Sequence, residues 1–141
     1  MQNKPTDELL KILENCSMET AISLGIQTDD AEGLTFCNYL AACQNHHGIE
    51  LAEIAQSAQI HRTYIYQIAD GRRNPGRDKV IAISLAGGFS LDETQRLLKL
   101  SGNGSLYPKT SRDAILIKAL YQHLSVMDVN LILEKQALCS L

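Results

Sequence analysis

Two short amphipathic segments, separated by only a few residues, place the strongest constraint on how this chain folds. In the first, Leu51 and Ile54 recur at the spacing that puts side chains on one face of a helix. In the second, Ile65 and Ile68 do the same and leave the polar residues between and around them pointing outward. Because residues 58–60 leave room only for a tight turn, the pattern predicts two short helices packed on a common core.

A basic loop follows the second segment. After Gly71 come Arg72 and Arg73, and Asn74 begins a turn that leads to Arg77. A polar helix face followed by such a loop is what docking in the DNA major groove requires, because phosphate contacts set the register and polar side chains read base edges. The alternative is a loop whose charges are merely solvated. Its position directly behind the polar helix favours phosphate contact.

The charge of the chain is unevenly distributed. The net charge is −3, with residues 1–60 carrying nine acidic residues against Lys4 and Lys11. Residues 61–79 instead hold five basic residues against Asp70 and Asp78. A local basic patch binds phosphates even on an acidic protein, because electrostatic fields decay over a Debye length of about 10 Å. The net charge therefore does not exclude a nucleic-acid partner.

Composition indicates an ordinary globular protein. The chain has 141 residues, of which 45% are apolar and 21% charged. No apolar run approaches the ~20 residues of a membrane span, so we expect no membrane partner. The N-terminal residues lack the apolar core and cleavage site of a signal peptide, so the cytoplasm is the expected compartment.

Residue patterns give little support to catalysis, a metal or a cofactor. The four cysteines include no C-x-x-C pair, and no glycine-rich loop cradles a phosphate. Cys43 with His46 and His47, joined by Cys37, is the one group that resembles a metal site. Adjacent histidines on a helix point about 100° apart, so both could not readily bind one ion together with Cys43. The prediction is buried thiols, exposed histidines, no metal, no cofactor and no enzymatic activity.

Periodicity and capping signals predict an all-α fold. Thr6 begins an N-terminal helix, residues 25–33 read as an acidic linker, and a helix from Thr35 to about His47 follows. After the two central segments, a helix over 78–86 stops at Gly87-Gly88. A capping box at Ser90 and Glu93 then starts a helix that reaches Leu100. A helix from about Ser111 to His123 and another beginning at Ser125 predict a C-terminal hairpin.

Taken together, the segments between Thr35 and Ser101 resemble the Xre, or lambda-repressor-like, family of bacterial DNA-binding domains. The residues that carry the resemblance are Leu51, Ile54, Ala55, Ile60, 62–68 and 71–75. It implies a five-helix bundle over 34–103 that contains a helix-turn-helix and binds operator DNA as a homodimer. Residues 1–33 would precede this domain. Residues 104–141 would form a helical hairpin packed on the bundle or on a partner subunit, similar to an extension of some small Xre proteins.

The resemblance also implies roles for individual residues. Arg62 and Thr63 would contact bases or phosphates at the start of the recognition helix, Gln67 would pair with adenine, and the loop would contact the DNA backbone. Two residues depart from the family pattern: Gln59 stands where the turn normally has glycine, and His61 replaces the usual Ser or Thr cap. The predicted DNA-binding residues are His61, Arg62, Thr63, Tyr66, Gln67, Arg72, Arg73, Asn74 and Arg77.

Three functions remain open at this stage. The first is a transcriptional regulator, expected to be a repressor that binds double-stranded operator DNA. The second is an antitoxin-like or other partner-binding protein with the same fold and weak DNA affinity, for which the acidic N-terminal segment and the apolar C-terminal hairpin would be suited. The third is a small-molecule sensor with a pocket between its two halves.

Overall fold

A computed structural model describes residues 34–141 of the chain, and every regular element in that range is an α-helix. The all-α prediction is therefore confirmed for this range, whereas the predicted N-terminal helix and linker lie outside it. Residues from Phe36 to the C-terminus belong to one compact unit. The helices are α1 (Phe36–His47), α2 (Leu51–Ala58), α3 (Arg62–Ala69), α4 (Arg77–Gly87), α5 (Leu91–Leu100), α6 (Ser111–Gln122) and α7 (Val126–Lys135).

Local sequence signals account for where these helices begin and end. At the start of α5, the Glu93 N–H donates to Ser90 Oγ over 3.1 Å and the Ser90 N–H donates to Glu93 Oε1 over 2.7 Å. This is the predicted capping box, which satisfies two donors that the first turn leaves without partners. Ser125 caps α7 in a similar way, its hydroxyl accepting from the Asp128 N–H.

The central element of the unit is α4. Six consecutive residues from Val80 to Leu85 are buried, because α2, α5, α6 and α7 all pack against this helix. The helix ends where Gly88 takes a left-handed φ of 70°, as the Gly87-Gly88 pair predicts. A side chain at Gly87 would place its Cβ 2.5 Å from the buried ring of Phe89, so the close packing of that ring needs glycine there.

The C-terminal hairpin shares this core. Leu116 and Leu120 of α6 and Val129 and Leu133 of α7 are buried, with α6 packed on α4 and α5 and α7 packed on α2 and α4. His123, with a left-handed φ of 55°, forms the turn between the two helices. Among residues 34–141, no helix is long and apolar enough to cross a membrane.

Candidate nucleic-acid interface

The turn between α2 and α3 is short and strained at one residue. Gln59 takes the left-handed conformation, with φ 60° and ψ 40°, which residues other than glycine adopt only at a steric cost. The next residue, Ile60, is buried, and its N–H donates to Ala55 O over 2.9 Å. The turn thus anchors in the core and directs the chain into α3.

His61 is the N-cap of α3. Its Nδ1 accepts a hydrogen bond from the Thr63 N–H over 3.1 Å. An imidazole nitrogen that accepts in this way carries no proton, so in the neutral ring the proton is on Nε2. The cap and the exposed Nε2–H donor are therefore compatible, and His61 can satisfy the helix end while it offers a donor to an anion.

The two faces of α3 differ sharply. Ile65 and Ile68 are fully buried against the core, while Arg62, Thr63 and Tyr66 are exposed. Gln67 is half-buried, and Tyr64 is half-buried with its ring packed against the core. The outer face of α3 is therefore polar and accessible from its N-terminus through one further turn.

In the loop after α3, the two arginines have different surroundings. The Arg72 guanidinium binds the Asp70 carboxylate, with Nε to Oδ2 at 2.7 Å and Nη2 to Oδ2 at 2.6 Å. This contact lowers the pKa of Asp70. Arg73 is exposed and forms no ion pair with any residue of 34–141. Arg72 could contact a phosphate only in competition with Asp70, whereas Arg73 meets no such competitor there.

Asn74 and Pro75 are fastened to the end of α5. Asn74 Nδ2 donates to Ser101 O over 2.9 Å, and Asn103 Nδ2 donates to Pro75 O over 3.1 Å. The loop is thereby fixed relative to the C-terminal end of α5. Asn74 is exposed as a residue, but its amide donor serves this structural contact.

The guanidinium of Arg77 is occupied within the protein by a carboxylate and two carbonyl groups. Nη1 and Nη2 bind the two oxygens of Asp113 at 3.0 and 2.7 Å. Nε and Nη2 also donate to the carbonyls of Gly104 and Ser105, each over 2.9 Å. Arg77 thus joins the start of α4 to the start of α6. A phosphate contact by Arg77 stays a prediction, and it would compete with these bonds.

A second ion pair crosses the first one. Arg112, next to Asp113 on α6, binds Asp78, next to Arg77 on α4, over 3.0 and 3.2 Å. Neither pair is evident from the sequence, since the partners lie 36 and 34 positions apart. One local signal accompanies the two pairs: the first turn of each helix contains an arginine followed directly by an aspartate, Arg77-Asp78 in α4 and Arg112-Asp113 in α6.

At the C-terminal end of α1, the structure brings together three side chains that the sequence does not place in one group. His46 Nδ1 lies 3.3 Å from Glu93 Oε2, and His47 Nε2 lies 2.8 Å from Glu93 Oε1. Burial alone would raise the pKa of Glu93, but hydrogen bonds from the Ser90 N–H and both histidines lower it to about 2. Burial, with the neighbouring Glu93 carboxylate, raises the pKa of the Cys43 thiol to about 12. The buried thiol agrees with the prediction, whereas the convergence of both histidines on one carboxylate was not expected.

The exposed donors of α3 and its loop, namely His61, Arg62, Thr63, Tyr66 and Arg73, follow one another along a short stretch of chain. Hydrogen-bond donors and cations in this arrangement can bind phosphate oxygens and base edges. In comparisons with known proteins, no family model, curated protein or solved structure matches this chain.

Proposed function

We propose that this protein is a sequence-specific DNA-binding regulator of the Xre, lambda-repressor-like type, and that it represses transcription by occupying operator DNA. The observation that carries the proposal is α3 itself: it buries Ile65 and Ile68 while Arg62, Thr63 and Tyr66 face outward. A helix held by one face on a core, with a polar outer face and an accessible N-terminus, has the form of a recognition helix in the major groove.

Four side chains of α3 and its flanking residues have specific roles in this proposal. Arg62, at the first position of α3, would bind the O6 and N7 acceptors of guanine, since a guanidinium matches them with two hydrogen bonds. His61 and Arg73 would contact phosphates on either side of the helix. Gln67 is half-buried, so its amide would reach a base edge only at close approach. Arg77 is left out because its donors are used internally.

The Asp70–Arg72 pair limits the electrostatic part of the proposed binding. A phosphate that approaches the loop meets the Asp70 carboxylate as well as the Arg72 guanidinium. Within residues 34–141, Arg73 is the loop arginine that has no acidic partner. Non-specific affinity comes largely from neutralised phosphates. We therefore expect weak non-specific binding and a specific component that depends on the outer face of α3.

The test is selection of bound fragments from a random DNA pool at several salt concentrations, followed by sequencing. Wild type should enrich one site, and Arg62→Ala should lower affinity by about 1–3 kcal/mol and relax the preference at one base pair. Lys118→Ala is the control, since it removes one positive charge from an exposed position on α6. Asp70→Asn keeps an oxygen for the Arg72 N–H but removes the competing charge, so it should strengthen binding.

Two outcomes would contradict the proposal. One is the absence of retained DNA at low salt in a folded wild-type protein. The other is equal loss from Arg62→Ala and Lys118→Ala, which would mean that binding follows net charge and not the face of α3.

A protein-binding function is the second candidate, and the outer face of α7 favours it. Met127, Leu131 and Ile132 are large apolar side chains on this helix that remain 60%, 54% and 36% exposed. Exposed apolar groups that lie together often mark interaction sites. If DNA is not bound, an antitoxin-like or other partner-binding role that uses α7 becomes the leading proposal.

A further inference from the structure

The cluster at the end of α1 contains the side chains of a possible metal site. His46 and His47 occupy the last turn of α1, and Glu93 is the third residue of α5. One ligand atom from each of the three side chains lies within 4.8 Å of the others. Two imidazoles and one carboxylate form a frequent ligand set for zinc and related divalent ions.

The spacing of these atoms is close to what an ion requires. Zinc binds nitrogen and carboxylate oxygen at about 2.0–2.2 Å, so ligand atoms around a tetrahedral ion lie about 3.3 Å apart. His46 Nδ1 lies 3.3 Å from Glu93 Oε2, and His47 Nε2 lies 2.8 Å from Glu93 Oε1. Because all three ligand atoms lie within 4.8 Å of one another, no two of them have to approach by more than about 1.5 Å to match this ligand spacing. His46 can make that adjustment, because its side chain is 73% exposed.

We propose that His46, His47 and Glu93 bind one divalent transition-metal ion, with zinc the best match, which fastens the end of α1 to the start of α5. Adjacent histidines on a helix point about 100° apart, which made a shared ion with Cys43 of the same helix difficult. A third ligand on another helix removes this difficulty. Glu93 supplies a carboxylate from the neighbouring helix, and each ring reaches a different oxygen of it: His46 Nδ1 contacts Oε2 and His47 Nε2 contacts Oε1.

Without metal, hydrogen bonds hold the same three side chains together. The ring nitrogens that face Glu93 carry protons and donate them to the carboxylate. An ion takes the place of these protons, and each neutral imidazole then keeps its proton on the other nitrogen. The Glu93 carboxylate is already oriented, since its Oε1 accepts from the Ser90 N–H in the capping box over 2.7 Å. A hydrogen bond of this kind orients a ligand from outside the coordination sphere.

The site would have three protein ligands and would keep at least one coordination position open to water. Three-ligand zinc sites with an open position are typical of sites that bind a further molecule, whereas closed structural sites have four protein ligands. Cys43 is buried close to Glu93, but its sulfur does not belong to the group of mutually close ligand atoms. The proposal therefore assigns no thiolate to the ion.

The first measurement is calorimetric titration of the metal-free full-length protein with zinc chloride, together with thermal unfolding at increasing zinc concentration. We expect one ion per chain and a rise in Tm with zinc, since a ligand that binds only the folded state stabilises it. Glu93→Gln is the decisive variant, because glutamine at this position preserves the capping box while it removes the carboxylate. It should weaken zinc binding at least about tenfold.

Two further variants keep the test independent of folding. His46→Gln alters an exposed side chain and should weaken binding similarly, while His123→Asn removes an exposed histidine from the α6–α7 turn and should leave it unchanged. In the cobalt-loaded protein, visible d–d bands without a thiolate charge-transfer band are expected. Equal affinity in wild type, Glu93→Gln and His46→Gln, or a thiolate band that Cys139→Ser removes, would overturn the proposal. No DNA is used, so the outcome is independent of the proposed regulator function.

Discussion

At the scale of single residues, the crossed ion pairs between α4 and α6 decide which charges of the basic segment remain available. Arg77 and Asp78 are both used internally, with Asp113 and Arg112 as their partners. Asp113 is the most enclosed of these four residues, with 7% of its side chain exposed, and it also accepts from the Tyr107 N–H over 2.9 Å. Such a carboxylate depends on its partners, since removal of one member leaves an uncompensated charge in the interior.

Asp113→Asn should therefore destabilise the protein, by about 3 kcal/mol at neutral pH. Burial would raise the pKa of Asp113, but the hydrogen bonds from Arg77 and Tyr107 outweigh it and lower the pKa below the ordinary value of 3.8. A lowered carboxyl pKa gives stability that is complete above 3.8 and is lost as pH falls through the folded-state value. The difference between wild type and variant in urea unfolding should thus shrink in acid.

Asp128→Asn is the matched control, because Asp128 occupies the same third position in α7 but is exposed. It should cost only the fraction of a kcal/mol that a charge near a helix N-terminus contributes, about 0.5 kcal/mol. Equal losses from the two variants, or a loss from Asp113→Asn that does not change with pH, would contradict the role given to the ion pair.

At the scale of elements, short helices are placed by the caps and turns that join them. Gln59 closes the α2–α3 turn in a left-handed conformation that costs an ordinary side chain roughly 1 kcal/mol. His61 then caps α3 through its ring nitrogen. The buried Ile60 between these two residues anchors the turn in the core.

Gln59→Gly should raise the free energy of unfolding by about 0.5–1 kcal/mol, because glycine takes the left-handed conformation without steric cost. Gln56→Gly is the control: it makes the same change at an exposed position inside α2, where glycine should cost about 1 kcal/mol. Denaturant unfolding of the two variants should therefore move the midpoint in opposite directions. A Gln59→Gly variant that is less stable than wild type would mean that contacts of the Gln59 side chain stabilise the fold by more than its left-handed conformation costs.

At the scale of the whole molecule, α6 and α7 complete the core of the unit and also present a new surface. Val129 and Leu133 of α7 are buried within the unit, whereas Met127 and Leu131 face outward. The resemblance to Xre domains implies a homodimer that reads two half-sites about one helical turn of DNA apart. The outer face of α7 offers an apolar surface that could join the two copies.

We therefore expect the protein to be a dimer in light-scattering measurements at micromolar concentration, and Leu131→Glu to make it monomeric. Gln136→Glu, which adds the same side chain at an exposed position just beyond α7, should leave the dimer intact. A monomeric wild-type protein would contradict the assignment of α7 as a dimer surface. A dimer unaffected by Leu131→Glu would place the contact between copies elsewhere.

The sequence by itself determined the helices and most of their ends, because these depend on local interactions. The helix from Thr35 to about His47, the capping box at Ser90 and the stop at Gly88 all depend on residues within a few turns of a helix, and each prediction was confirmed. The buried face of α3 likewise follows from its periodicity.

Only the tertiary structure decided which polar side chains are free. Arg77 and Arg73 contribute equally to the charge of the basic segment, yet Arg77 binds Asp113, which lies 36 positions away in the sequence. Helix geometry sets His46 and His47 apart, yet Glu93, 46 positions beyond His47, draws both to one carboxylate. Such pairings depend on how the helices pack and on how far each side chain reaches, and neither is encoded in local spacing.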